Sequence, residues 1–466
     1  MASTKDILLD KLRSGADLER ADRFRLVALL SLPAILAQLS MVLMSYIDAA
    51  MVGRLGAGPA AAVGLVSSSA WILGGFCYAN NSGFSVQIAH RCGAKDFDGA
   101  RSLLRQGLFS VMLVSVFLGL VGVLISGALP QWLGGSEEIW DDAGGYFLIY
   151  SLFIPVLQLA IFAEASLIAS GNIKVPSVMS LVMCLLDVVF NYIFIYGLGM
   201  GARGAALGTG LATLVSAAFL LWYAFRRSPE LRQTLGGTGL LKSMVPGRDV
   251  VSQALNISWP LWLQNVVSRG AYIAATVLIA PLGTVAIAAN SFAITAEGFC
   301  YMPGYGIQDA ATTLVGQSLG ARRKDMARSF SWITMTSAAL TMAVLGALMF
   351  AFAPGIMSLL SPDVEIIALG AKCLRIEAVA EPFFAFSIVG YGCCVGAGDS
   401  LIPSGINLVG MWLIRIGLAL VLIPRLGLAG YWIAMATELT VKGIIFVIRI
   451  HGRRWMTTRL TASEVL

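Results

Sequence analysis

Charge is what this sequence has least of. Only 12% of its 466 residues are Asp, Glu, Lys or Arg, 58% are hydrophobic and the mean hydropathy is +0.81, whereas soluble globular domains carry roughly 25% charged residues. That balance excludes the water-soluble fold classes. Histidine is nearly missing, at His90 and His451 alone, and the seven cysteines show no C-x-x-C spacing. A zinc site and a disulfide framework are both excluded on that ground, and the cysteines read as buried free thiols. There is no Walker A sequence and no D-D-x-x-D sequence. Pumping driven directly by ATP and metal-diphosphate enzymology therefore lack their usual residues, and no enzyme activity and no cofactor are expected. Gly197-Leu-Gly199-Met-Gly201 follows no predicted strand, so it does not support nucleotide binding.

What is present is a succession of long apolar runs. Reading them against Gly, Pro and charge punctuation predicts twelve membrane spans near 26–48, 60–84, 104–127, 144–168, 176–197, 204–225, 253–280, 284–306, 329–352, 368–395, 402–423 and 428–449. Residues 1–25 alternate basic and acidic side chains with no apolar run, which predicts a cytoplasmic tail with an amphipathic surface helix and no cleaved signal peptide. With the N-terminus inside, 24 of the 32 Lys and Arg residues fall in the inner segments. The outer loops carry acids at Glu137, Glu138, Asp141, Asp142, Asp363 and Glu365. Positive charge marks the cytoplasmic side, so both termini are placed there, and the net charge of +6 records membrane orientation rather than nucleic-acid binding.

An internal repeat organises these spans. At an offset of 227 residues, Leu32-Pro33 answers Trp259-Pro260, Leu55-Gly56 answers Leu282-Gly283, and G-A-K-D-F-D-G-A-R at 93–101 answers G-A-R-R-K-D-M-A-R at 320–328. Gly171 and Pro176 likewise align with Gly398 and Pro403, and Gly-Phe-Cys-Tyr recurs at 75–78 and 298–301 with an offset of 223. Six spans per half is an even number, so the halves enter from the same side and are parallel repeats about an axis along the membrane normal. The expected fold is an all-α membrane protein of twelve transmembrane helices in two parallel six-helix repeats. Its parts are an N-tail at 1–25, bundles at 26–225 and 250–450, a connector at 226–249 with a flexible Gly236-Gly237-Thr238-Gly239 centre, and a C-tail at 451–466.

Several stretches together resemble the multidrug and toxic compound extrusion (MATE) family. They are Tyr46-Ile-Asp48-Ala-Ala-Met-Val-Gly53-Arg-Leu-Gly56, Gly171-Asn-Ile-Lys-Val-Pro176, Asp187-Val-Val-Phe-Asn191-Tyr192, Gly204-Ala-Ala-Leu-Gly-Thr209 and Pro303-Gly-Tyr-Gly306. Ala310 to Gly320, Gly396-Ala-Gly-Asp399 and Arg415 also fit, so the resemblance covers roughly residues 25–450. It implies an ion-coupled multidrug antiporter, acting as a monomer in the bacterial inner membrane on small lipophilic cations, with H⁺ or Na⁺ as coupling ion and no nucleic-acid partner. The alternatives are a flippase for a lipid-linked head group and, further off, a membrane-embedded enzyme.

An ionised side chain at the bilayer centre costs about 2.5–3.5 kcal/mol on the mildest scale, so Asp48, Glu164, Asp187, Arg269, Glu297, Glu377 and Glu381 each need an explanation. Asp187 and Asn191 are four apart and share a helical face. With Asp48 and the Thr209 hydroxyl they would make an all-oxygen site for Na⁺ or a carboxylate pair sharing a proton, and the resemblance implies a cation site in this half. Asn191 and Thr209 are equally compatible with plain interhelical hydrogen bonding. The family pattern tends to have Asn where this chain has Asp187, and two close carboxylates favour a shared proton. In the second half, some branches carry an acid where this chain has Ser268-Arg269, which puts a site of that type in doubt. Glu377 and Glu381, spaced by four, either face a substrate cavity or pair with Arg269 or Arg375, and Glu297 has the same two readings. Glu438 and Lys442 are expected to satisfy each other, and Asp309 to lie at the interface. Met41, Met44, Tyr46, Trp71, Tyr78, Trp259, Trp262 and Tyr301 complete the candidate lining for flat cations, although ordinary lipid-facing and packing positions use the same residue types.

Overall fold

The protein is described by a computed structural model over residues 4–233 and 245–456, and it is helical, with no strand among the described residues. The connector's Gly236 to Gly239 lie outside them. A short helix α1 (Thr4–Arg13) precedes the long helices α2 (Arg20–Gly53), α3 (Ala57–Gly93) and α4 (Phe97–Ile125). A single turn, α5 (Leu129–Trp132), leads to α6 (Glu137–Ala169), α7 (Lys174–Asn191) and α8 (Gly201–Arg226). The second half runs through α9 (Arg248–Ile279), α10 (Thr284–Gly320), α11 (Lys324–Leu360), α12 (Val364–Ala378) and α13 (Glu381–Gly396). It closes with α14 (Leu401–Val409), α15 (Gly417–Leu426) and α16 (Leu428–His451). Wider π-helical turns follow α7 at Tyr192–Gly197 and join α14 to α15 at Gly410–Ile416.

Among the described residues, ten helices are long and apolar enough to cross a membrane, and α12 with α13, bent by 58°, passes that test as an eleventh. The twelfth expected span is α16, a helix of 24 residues whose apolar character is diluted by Glu438, Lys442 and Arg449. Two details differ from the sequence reading. The span ending near 306 continues unbroken to Gly320, because Pro303 sits inside α10 without ending it. The tenth span breaks after Ala378, where Pro382 occupies the first turn of α13 and can donate no backbone hydrogen bond.

The repeat is written into the backbone. Lys95 and Arg322, the two described non-glycine residues with positive φ, both have φ 58° and stand 227 apart. The glycine pairs Gly56 with Gly283 and Gly171 with Gly398 stand at the same offset in the same left-handed region, which glycine enters without a Cβ penalty.

The chain forms two compact units whose limits fall inside helices rather than at the connector. One is Ser40–Trp262, called here the N-unit; the other, the C-unit, joins Met1–Leu39 to Leu263–Leu466. The start of α2 thus packs with the second half and the start of α9 with the first. The glycines show why this exchange is tight. A Cβ on Gly306 of α10 would lie 2.6 Å from the Ile35 backbone nitrogen of α2, and one on Gly83 of α3 would lie 2.5 Å from the Ala254 carbonyl oxygen of α9. The two glycines are 223 apart, the offset of the Gly-Phe-Cys-Tyr repeat just before them. All seven cysteines are buried and free. Gly83→Ala is expected to cost about 1–3 kcal/mol through overpacking, seen as a lower thermal midpoint in detergent. Gly64→Ala, on open surface of the same helix, should leave the midpoint unchanged or raise it slightly.

Candidate functional site

Within the N-unit, the helix α2 brings Asp48 against α7 and α8. Asn191 is the bridge. Its Nδ2 donates to Asp48 Oδ1 at 2.8 Å and to Asp187 Oδ2 at 3.1 Å. The α-helical spacing of 187 and 191 is what lets one amide reach a carboxylate on its own helix and another across to α2. Asp187 and Asn191 are fully buried, whereas Asp48 and Thr209 are half-buried. The Thr209 hydroxyl and the Asp48 carboxyl lie close enough to Asp187 to interact with it. Asp187 Oδ1 and Asn191 Oδ1 are buried acceptors with no donor in bonding geometry. Two carboxylates, an amide oxygen and a hydroxyl therefore converge, with acceptors to spare. That is the donor set of a hard monovalent cation or of a shared proton.

Gly208 makes the approach possible, since a Cβ there would meet Asn191 Oδ1 at 2.1 Å. One turn earlier, a Cβ on Gly204 would lie 2.8 Å from the Phe194 carbonyl, in the π-helical turn that follows Asn191. The small residues of α8 are thus what hold Asn191 in place.

The C-unit carries a different set. Glu377 and Glu381 are fully buried, and none of their four carboxyl oxygens has a hydrogen-bond partner. They do not share one helical face as their spacing suggests, because they flank the break between α12 and α13. Neither pairs with Arg375, whose Nε donates to the Phe350 carbonyl and whose guanidinium lies over the Phe350 ring. Arg269 sits over Tyr272, 6.0 Å from the ring centroid. Glu297, buried on α10, lies within electrostatic reach of Arg415, Glu377 and Glu381, and the Cys300 thiol adjoins Glu381. Gly346 of α11 leaves room for the break, with Ala378 O and Glu381 Cβ at 3.0 and 3.2 Å from where its Cβ would stand.

The expected Glu438–Lys442 pair is present at 2.7 Å, but it is half of a larger network. Arg415 Nη2 donates to Glu438 Oε2, also at 2.7 Å, and all three residues are buried. Sequence reading singled out Arg415 but not its bond to Glu438, because that partner lies 23 residues away on the next helix, beyond any local spacing rule.

The aromatic and Met candidates divide between the units. Met44 is buried and Tyr46 half-buried in the N-unit; Trp262 packs edge-on against Phe76 at 6.3 Å, with its Nε1 unbonded. Trp71, Tyr78 and Trp259 are exposed. Asp309, expected at the interface, lies within α10 and accepts a hydrogen bond from Gln38 Nε2 at 3.2 Å.

A duplicated set of helices of membrane-crossing length, with buried carboxylates among them, describes a multi-pass membrane protein. A family profile agrees: MatE matches residues 33–193 and 260–421, one stretch in each half, and the chain belongs to that family. Among its relatives, a probable multidrug resistance protein NorM from Idiomarina loihiensis is 27% identical over 451 residues, covering 92% of this chain and 94% of its own length. The NorM of Thermotoga maritima, also named as a probable multidrug resistance protein, is 27% identical over 94% of this chain and 95% of its own. A crystal structure described as MATE in complex with MaL6 superposes with a TM-score of 0.88 at 20% identity, over 97% of this chain and the whole of the other. Transporters so named are not enzymes, and neither is this chain.

Two substitutions test the geometry. Gly208→Ala should displace Asn191 and remove most transport, while Gly197→Ala, which meets nothing within 4 Å, should retain it; uptake into everted vesicles distinguishes them. Glu438→Leu strands two buried cations and should cost roughly 3–5 kcal/mol, read as a large fall in thermal midpoint.

Proposed function

We propose that this protein is an ion-coupled multidrug antiporter, exporting lipophilic and mostly cationic compounds in exchange for H⁺ or Na⁺ by alternating access. The observation that carries the reading is the Asn191 amide bridging Asp48 and Asp187. A bridged carboxylate pair with unfilled acceptors takes up a cation readily. Loading removes one of its two negative charges, and the free energy of that change biases one conformation over another. If drug favours the opposite conformation, ion and drug drive each other's release. The second carboxylate at Asp187 favours H⁺, because two close negative charges in low dielectric are relieved by one shared proton. The names of the NorM relatives support multidrug export.

Cationic substrates are supported by the balance of charge in the C-unit. Its buried Arg415 and Lys442 are engaged with Glu438, whereas Glu377 and Glu381 are acids without partners. A flippase for an anionic head group would call for the reverse. The basic inner segments support an inner-membrane protein with both termini in the cytoplasm, and the cluster is complete within one chain, which supports a working monomer. In proteoliposomes, ethidium efflux should follow an imposed pH gradient more strongly than an imposed Na⁺ gradient. Asp48→Asn should reduce it to the rate without any gradient; unchanged gradient dependence in that variant would remove Asp48 as the coupling residue.

A further inference from the structure

The helix that carries Asp48 belongs to both units: α2 is part of the C-unit to Leu39 and of the N-unit from Ser40. Its C-unit portion is fastened along its whole length. Before it, Arg13 Nε donates to Gln317 Oε1 at 3.1 Å, and Arg323 Nη2 pairs with Asp17 at 3.0 Å. Leu8, Leu9 and Leu12 of α1 are buried, as is Leu18. At the start of α2, Arg23 Nη1 donates to Ser329 Oγ at 2.9 Å. Further along, Ile35 meets Gly306 through backbone. The last fastening is Gln38 Nε2 to Asp309 Oδ2 at 3.2 Å, one residue before the unit boundary.

Of these fastenings, the last is the one whose carboxylate lies inside a membrane-crossing helix. The equivalent arm of α9 is held to α3 by the close approach at Gly83, by the Ser258 hydroxyl donating to the Asn80 carbonyl at 3.4 Å and by Gln87 Nε2 donating to the Val250 carbonyl at 3.3 Å. Close packing and neutral hydrogen bonds hold that arm. A carboxylate in a membrane-crossing helix is expensive, and Gln38 supplies the one hydrogen bond seen at Asp309 among the described residues. Gln38 stands ten residues before Asp48, about 15 Å along a helix rising 1.5 Å per residue.

We propose that Gln38 and Asp309 are positioning residues for the coupling site: their hydrogen bond fixes the end of the C-unit portion of α2, so that a change at Asp48 works against a held helix. The inference rests on the antiport reading and deepens it. Without the bond, cation loading at Asp48 would be taken up by local movement of α2, and binding would persist while driven transport failed. The bond itself, not the charge of Asp309, is what matters.

The test uses purified full-length protein, measuring ethidium affinity by fluorescence, thermal midpoint, and gradient-driven ethidium efflux in proteoliposomes. Gln38→Leu and Asp309→Leu should each lower driven efflux roughly fivefold or more, with ethidium Kd and thermal midpoint kept. Asp309→Asn, which retains an acceptor for Gln38, should recover most of the loss. The double Leu variant should be no worse than either single, as expected for two ends of one bond. Full activity in Asp309→Leu, failure of Asn to rescue, multiplied losses in the double variant, or a loss that follows a fallen Kd or midpoint would each overturn the proposal. Hydrogen exchange at amides 30–39 reads the tether without any substrate: it should be faster in Asp309→Leu than in Asp309→Asn, and equal rates would overturn it. A wild-type protein without gradient-driven efflux would instead overturn the antiport reading and leave the exchange result standing.

Discussion

Charge inside a membrane must be matched, neutralised or used, and that constraint sorts the buried ionisable groups of this protein into three kinds. Arg415, Glu438 and Lys442 are matched: two cations enclose one carboxylate at 2.7 Å each. Such networks are costly to break and not strongly stabilising in themselves, so this one defines how α16 seats against the helix before it. Glu377 and Glu381 are unmatched, at a helix break where four carboxyl oxygens lack partners. Asp48 and Asp187 are in between, joined by one amide and holding acceptors in reserve. Only the last two kinds can respond to an ion.

Duplication explains the scaffold but not the site. The left-handed turns at Lys95 and Arg322, and the glycine pairs around them, show two halves with the same backbone plan. Yet the acid pair of the first half has no acidic counterpart in the second: 227 residues beyond Asp187 stands Ile414, beside Arg415. One repeat keeps an acceptor cluster where the other places a cation already tied to a glutamate. The exchange of helix starts between halves then gives α2 its particular standing, since it bears Asp48 in one unit and an end hydrogen-bonded to the Asp309 carboxylate in the other.

Much of the fold was legible because it rests on hydropathy and on repeated turns, both local. Twelve helices could be counted and the two halves aligned from Pro33 with Pro260 and Gly171 with Gly398. The tenth span was read straight through Pro382, and the i, i+4 spacing of its glutamates suggested a shared face that the bend removes. The site was legible where a helical spacing sufficed, at Asp187 with Asn191 and at Glu438 with Lys442. It was not legible where partners come from distant helices: Arg415 to Glu438, Gln38 to Asp309, and Gly208 beneath Asn191 depend on packing that no spacing encodes. The division of the chain within α2 and α9 was equally hidden, because a helix that changes partners midway keeps one apolar pattern throughout.

The account turns on the Asp48–Asn191–Asp187 cluster holding a cation that drug binding expels. Its most direct test is to add ethidium to purified protein in weakly buffered detergent solution and measure the cation released, with a pH indicator for H⁺ and a selective electrode for Na⁺. The account predicts release of one of these ions in proportion to drug bound, and its loss in Asp48→Asn. Drug binding with no release of either ion from the wild-type protein would contradict it.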